Sequence, residues 1–174
     1  MSDSTPEGVR IVRAGPERLD HVESLWRAMF IRHREVGVGP AEVRPFRSAD
    51  ESWRRRRARY ETWLSGPDAL MLLAERDGAV TGYAVVVIGS GEASIETGER
   101  VADLASLSAV PQGEGIGSAL IDAVHAELRT LGVRELTLSV MDGNTLATRF
   151  YERLGMRPYL TTMIGLVPDE HLGK

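Results

Sequence analysis

Gln112, Gly113, Gly115 and Gly117 are the residues whose types and spacing point most directly to chemistry. They lie in Leu107-Ser-Ala-Val-Pro-Gln112-Gly113-Glu114-Gly115-Ile116-Gly117-Ser118, where an apolar run ends in three alternate glycines and an apolar-periodic helix begins. Residues without side chains let a bulky group come close to the backbone, and free N–H groups at a helix start favour an anion. The loop is therefore suited to holding phosphate with main-chain donors. A Walker loop needs a lysine after its last glycine, and the sequence has one lysine, Lys174. A dinucleotide fingerprint needs a third glycine where Ser118 stands, and an acid at the far end of the next strand. Glu135 has the distance but opens that strand. The third pattern, Q/R-x-x-G-x-G/A, is met by Gln112-x-x-Gly115-x-Gly117. A tight strand-to-helix turn with no ligand is the plain alternative.

Other reactive groups are sparse. Without cysteine there is no thiolate ligand, disulfide or cysteine nucleophile. His21, His33, His125 and His171 lack the i, i+4 spacing of a helical zinc site, so no metal is expected. Residues 1–64 carry 13 arginines against 10 acidic side chains, whereas residues 65–174 carry 8 basic against 15 acidic. The phosphate loop thus lies in the acidic half, which makes backbone dipoles the expected anion holders and argues against nucleic acid as the main ligand. Arg54-Arg55-Arg56-Arg57 points around a whole helix, so pairing with Glu51 and Glu61 on a solvated face is the main reading. Contact with an acidic substrate or a second subunit is the other.

The elements that position the loop follow from periodicity. A chain of 174 residues that is 43% hydrophobic and 26% charged suits one soluble domain, here 9–167, between a disordered 1–8 and a tail 168–174. No apolar run reaches the ~18 residues of a membrane span. The polar first eight residues predict no secretory signal, and a cytoplasmic location fits best. Val9–Arg13 reads as a strand. Leu19, Val22, Leu25, Trp26, Met29 and Phe30 form one helical face. Ser48-x-x-Glu51 is a capping box for a helix with Trp53, Tyr60 and Leu64 along one side. Ala69–Glu75 and Ala79–Ile88 flank Asp77-Gly78, a hairpin signal. A strand from about Arg100 leads into the loop. Ile116, Leu120, Val124, Leu128 and Leu131 mark the next helix, which stops at Gly132. Glu135–Val140 is a strand, Leu146, Phe150 and Leu154 a helix, and Met156–Leu166 a final strand or strand pair. The order predicts a mixed α/β fold with a mostly antiparallel sheet.

From residue 69 to 166 the chain resembles the GNAT superfamily of N-acetyltransferases. The resemblance rests on Gln112-x-x-Gly115-x-Gly117, then Asn144, then Phe150-Tyr151-Glu152-Arg153-Leu154-Gly155-Met156, where a final aromatic of the family pattern becomes methionine. It implies a sheet of six to seven strands, splayed in the middle and flanked by about four helices. It also implies acetyl transfer from acetyl-CoA to a primary amine, of a small molecule or a peptide. By the same resemblance, Ala105, Ser106 and Leu107 bind the pantetheine arm through main-chain groups. Gln112, Gly113, Glu114, Gly115, Ile116, Gly117 and Ser118 cup the pyrophosphate, and Tyr151 protonates the departing sulfur. Asn144 can serve as a helix N-cap, a cofactor contact, or both.

The general base stays open. The strand position where some relatives carry glutamate is Ser139. Asp103, four residues before Leu107 and by alternation on the same side, is the leading candidate. Glu92, Glu96 and Glu99 are weaker ones, and a water chain would need none of them. Lacking cysteine, the chain should transfer the acyl group directly in a ternary complex. A non-catalytic acyl-CoA sensor of the same fold is the rival reading. No nucleic-acid or membrane partner is expected, and an exposed final strand could join a second copy into a homodimer.

Overall fold

The computed structural model describes residues 5–167 except 38, 40 and 97. The proposed tail, His171 and Lys174 lie outside the described residues, as do the first four residues of the proposed disordered segment. The strands are β1 Val9–Ala14, β2 Ala69–Arg76, β3 Ala79–Ser90, β4 Arg100–Ala109 and β5 Leu136–Thr137. The helices are α1 Glu23–Val36, α2 Ala49–Leu64, α3 Ile116–Thr130 and α4 Thr145–Arg153, with a 3-10 turn over Pro16–His21. The sheet runs β1-β2-β3-β4-β5, antiparallel except for the last pair.

Side chains alternate between two cores, one on each face of this sheet. Leu70, Leu72, Ala84, Val86, Ala102 and Leu104 turn toward α3, which brings Ile116, Leu120, Ile121, Val124 and Leu128. Met71, Leu73, Tyr83 and Val85 turn the other way, to Trp26 and Phe30 of α1 and Trp53 and Tyr60 of α2. A central strand buried on both faces explains the unbroken apolar run of β2. Removing one fully buried leucine such as Leu120 should cost about 2–5 kcal/mol. α3 lies so close to the sheet that a Cβ on Gly82 would stand 3.0 Å from Ile116 Cγ2 and 3.1 Å from Leu120 Cδ1. The start of α3 is thereby fixed over the β3–β4 pair.

Local signals act as read. The Ser48 side chain accepts from Glu51 N–H at 3.2 Å, and Asp77 and Gly78 both take the positive φ that a two-residue hairpin needs. Two expectations change. The described residues form five strands, and 156–167 makes none: Tyr159, Leu160, Met163 and Val167 are more than three-quarters exposed. The predicted Glu135–Val140 strand shrinks to Leu136–Thr137, because the β4–β5 ladder ends at Asp103↔Thr137.

Candidate functional site

The loop between β4 and α3 is the centre of the candidate site. Gly113 and Gly115 sit at φ +85° and +79°, a left-handed backbone that other residues resist. Gly115 is also the N-cap of α3 and has no side chain to satisfy the helix start. The first N–H to find a backbone acceptor is that of Ala119, which donates to Gly115 O at 3.0 Å. Among the described residues no backbone hydrogen bond takes up the N–H groups from Gln112 to Ser118. Successive free N–H groups at a helix N-terminus make an anion cradle.

This cradle opens where the sheet parts. Ala102 N–H donates to Glu135 O, toward β5, whereas Val110 N–H donates to Thr81 O, toward β3. Positions eight apart should face alike, so one irregularity must intervene. It is a bulge: Val85 pairs with Ser106 and Val86 with Leu104, leaving Ala105 unopposed. Beyond the bulge, Leu107 and Ala109 turn their backbone groups to the side where β5 has ended. The splay is thus a stretch of β4 edge leading from Asp103 to the cradle.

The bulge corrects one sequence inference. Asp103 and Leu107 were expected on the same side. Leu107 instead packs toward α3, while Asp103 pairs with Val87, on the β3 face that carries Val85 and Tyr83. Asp103 therefore shares the α1/α2 face with Ala105 and with Ser106, whose hydroxyl lies 2.8 Å from Tyr83 Oη. Asp103 is exposed, yet partial desolvation raises its carboxyl above its ordinary value, against a lowering by the Thr137 hydroxyl. Glu92, Glu96 and Glu99 are exposed on the β3–β4 loop, and Ser139 is exposed beyond β5.

Tyr151 and Asn144 arrive on α4. Asn144 is the N-cap, its side chain accepting from Ala147 N–H at 3.3 Å. Tyr151 is partly buried against the α3-side core, edge-on to Phe150 with ring centroids 5.0 Å apart. Burial alone pushes its hydroxyl up to about 12, so it stays protonated at neutral pH. A Cβ on Gly117 would meet Phe150 Cζ at 3.3 Å, so the tyrosine's helix rests directly on the loop's last glycine. The loop and the helix that carries Tyr151 meet through Gly117 and Phe150; Asp103 stands on the other face of β4.

One residue at the loop escapes motif reading. Arg76, at the end of β2, pairs its Nη1 with Glu114 in the middle of the cradle. Its only sequence signal is its place beside the Asp77-Gly78 turn.

Among the described residues no helix is long and apolar enough to cross a membrane. Residues 36–156 match the family model described as acetyltransferase (GNAT) family. The mycothiol acetyltransferase of Propionibacterium freudenreichii is 27% identical over 165 residues, 94% of this chain and 47% of that protein. That of Geodermatophilus obscurus is 32% identical over 154 residues, 86% of this chain and 45% of that protein. The chain spans about half the length of these curated relatives. An uncharacterized N-acetyltransferase of Mycobacterium tuberculosis is 30% identical over 122 residues, covering 69% of this chain and 70% of its own. In fold, the chain is similar to a tetramutant of the BH1408 protein from Bacillus halodurans, at TM-score 0.73 and 22% identity over 91% of this chain and 99% of that one. It is also similar to the aminoglycoside N-acetyltransferase AAC(6')-Iy in complex with CoA, at TM-score 0.68 and 18% identity over 96% and 99%.

Proposed function

The chain belongs to the GNAT acetyltransferase family, and from that premise we propose that it moves the acetyl group of acetyl-CoA to a primary amine by direct attack in a ternary complex. The observation that carries this reading is the run of N–H groups from Gln112 to Ser118 at the α3 N-terminus, free of backbone partners among the described residues, at the end of a β4 edge that no described strand pairs beyond Asp103. These donors fit a diphosphate, and the edge beyond the bulge fits an extended amide-bearing arm laid beside Leu107 and Ala109. Acetyl-CoA supplies the activated thioester; the chain supplies position and protons.

An alkylamine has a pKa near 10.4, so about one molecule in a thousand is neutral at pH 7. In this reading Asp103, or water beside it, takes the amine proton as the new N–C bond forms. Tyr151 gives its proton to the sulfur as the C–S bond breaks. With no cysteine in the chain, no acyl-thioester enzyme intervenes. Residues 9–167 act as the transferase unit, a cytoplasmic one in this reading, on a small-molecule or peptide amine.

Two measurements test the reading. A thermal-shift series with acetyl-CoA, CoA, NAD and ATP should show stabilisation by the first two, about 2.7 kcal/mol at a hundredfold excess over Kd. An amine library assayed for released thiol should then show turnover. Stabilisation by NAD or ATP in preference to CoA would overturn the cofactor assignment. Binding of acetyl-CoA without turnover of any amine would favour a sensor.

A further inference from the structure

Arg56 stands apart from the other arginines. Arg18, Arg27, Arg57, Arg76 and Arg100 are partly buried, and each pairs with a carboxylate. In the same run on α2, Arg54 and Arg55 both reach Glu51. Arg56 is also partly buried, yet among the described residues no carboxylate lies within ion-pair distance of it. Instead its guanidinium stands over the Tyr60 ring, 5.7 Å from the centroid. Half-burying a charge without a counter-charge is unfavourable, so folds seldom keep one for stability.

What lies beneath is equally unusual. Tyr60 is fully buried, and among the described residues its hydroxyl has no partner in good hydrogen-bond geometry, although Ser106, Tyr83 and Arg56 all stand near it. The neighbouring hydroxyl of Tyr83 meets Ser106 Oγ at 2.8 Å, and Ser106 also approaches Met29 Sδ at 3.7 Å. The Arg56 charge is felt by Tyr60, Tyr83 and His33, whose pKa is lowered first by burial and then by this guanidinium. A guanidinium, two buried phenols and the serine next to the bulge therefore gather on the α1/α2 face of β4. Asp103 projects to that same face.

We propose that Arg56 is the anchor for an anionic group on the acceptor, so that the enzyme's substrate is an amine carrying a carboxylate or phosphate. This inference rests on the acetyl-transfer reading and adds the acceptor class to it. Arginine's planar fork suits both anions in bidentate contact. The amine would lie toward Asp103 and the splay, its anion toward α2.

The test compares matched amines at saturating acetyl-CoA, read as released thiol. One arm sets a panel of free amino acids against their amides and decarboxylated amines; the other sets phosphoethanolamine against ethanolamine. The anionic member of at least one series should have the higher kcat/KM. Arg56→Gln should raise KM for that member about 10- to 100-fold, with kcat, the neutral partner's kinetics and the CoA Kd unchanged. Arg56→Lys should recover part of the loss. Discrimination in the first arm identifies a carboxylate, in the second a phosphate. Amines acetylated with no preference for the anionic member, in either arm, overturn the inference and leave acetyl transfer standing. A preference that Arg56→Gln, folded as judged by CoA binding, does not reduce also overturns it. Wild-type protein that acetylates no amine overturns both.

Discussion

The tip of the Phe150 ring approaches Gly117 so closely that a single added methyl would stand 3.3 Å from its Cζ. The last glycine of the cradle therefore sets the seat of α4, and with it the position of Tyr151. Gly117 has an ordinary helical backbone, so alanine there gains helix propensity, about 0.5–1 kcal/mol. Phe150 must retreat by a few tenths of an ångström. Gly117→Ala should thus leave thermal stability nearly unchanged while lowering kcat up to about tenfold, since small misplacements at a reacting centre are costly. Unchanged kcat would show that α4 does not hold the reacting tyrosine.

Gly115→Val tests a different property of the same loop. The φ of +79° is strained for any L side chain, and an added Cβ would also stand 3.3 Å from Pro6 Cγ. The strain should cost about 1–2 kcal/mol of stability and turn the cradle's N–H groups. Calorimetry should show acetyl-CoA binding lost in protein that is still folded.

Tyr151→Phe keeps the ring and removes the proton. Because a thiolate leaves tolerably well, kcat should fall about 10²-fold with little change in KM. The hydroxyl titrates at about 12, so wild-type kcat should show no alkaline limb from this group at pH 10. For stability the sign runs likewise. The raised folded pKa gives a contribution fully present below pH 10 and lost as pH rises through about 12. The phenylalanine variant should lose this alkaline sensitivity in melting experiments.

Much of the positioning was legible because it is local. The Ser48 cap, the Asp77-Gly78 turn and the glycine start of α3 each depend on residues within a few positions. The buried faces of α1 and α2 followed helical period, although Leu19, read onto the first helix, lies in the separate 3-10 turn before it. Three of the four consecutive arginines found the carboxylates that spacing offered or a neighbour, Asp20, that it could not foresee. The bulge at Ala105 was illegible: no residue type in Leu104-Ala-Ser-Leu marks it, and alternation carried through it put Asp103 on the wrong face. Met156–Leu166 has strand composition, but a strand exists only where a partner edge accepts it, and composition does not report the partner. Arg76 and Arg56 matter through contacts 38 residues away or through the lack of one, neither of which a motif records.

Asp103→Asn separates the two bases still in play. If the carboxylate accepts the amine proton, kcat/KM should fall about 10²-fold or more. The acid limb of the wild-type profile should be displaced upward from the ordinary aspartate value, the direction in which desolvation moves this group, and should vanish in the variant. A change below about twofold would assign the proton to water alone.

Arg76 and Glu114 bear on how an acidic half of the chain tolerates a polyanion. The cradle has a carboxylate at its centre, and that carboxylate is paired with a guanidinium from the neighbouring hairpin. Among the described residues Arg76 Nε is buried without a partner, and it is Nη1 that reaches Glu114. The pair should contribute little to stability, since both ends are partly exposed. It should matter to binding instead, because removing Arg76 leaves Glu114 facing the incoming diphosphate. One uncompensated charge a few ångströms away is worth about 1 kcal/mol, roughly fivefold in affinity. Arg76→Gln should therefore weaken CoA binding by roughly that factor at low salt, and less at high salt as screening grows. Adding Glu114→Gln to the same protein should restore affinity, which no loss of loop structure would do. Failure of the double variant to recover would assign Arg76 a direct contact with the phosphates rather than the neutralisation of Glu114.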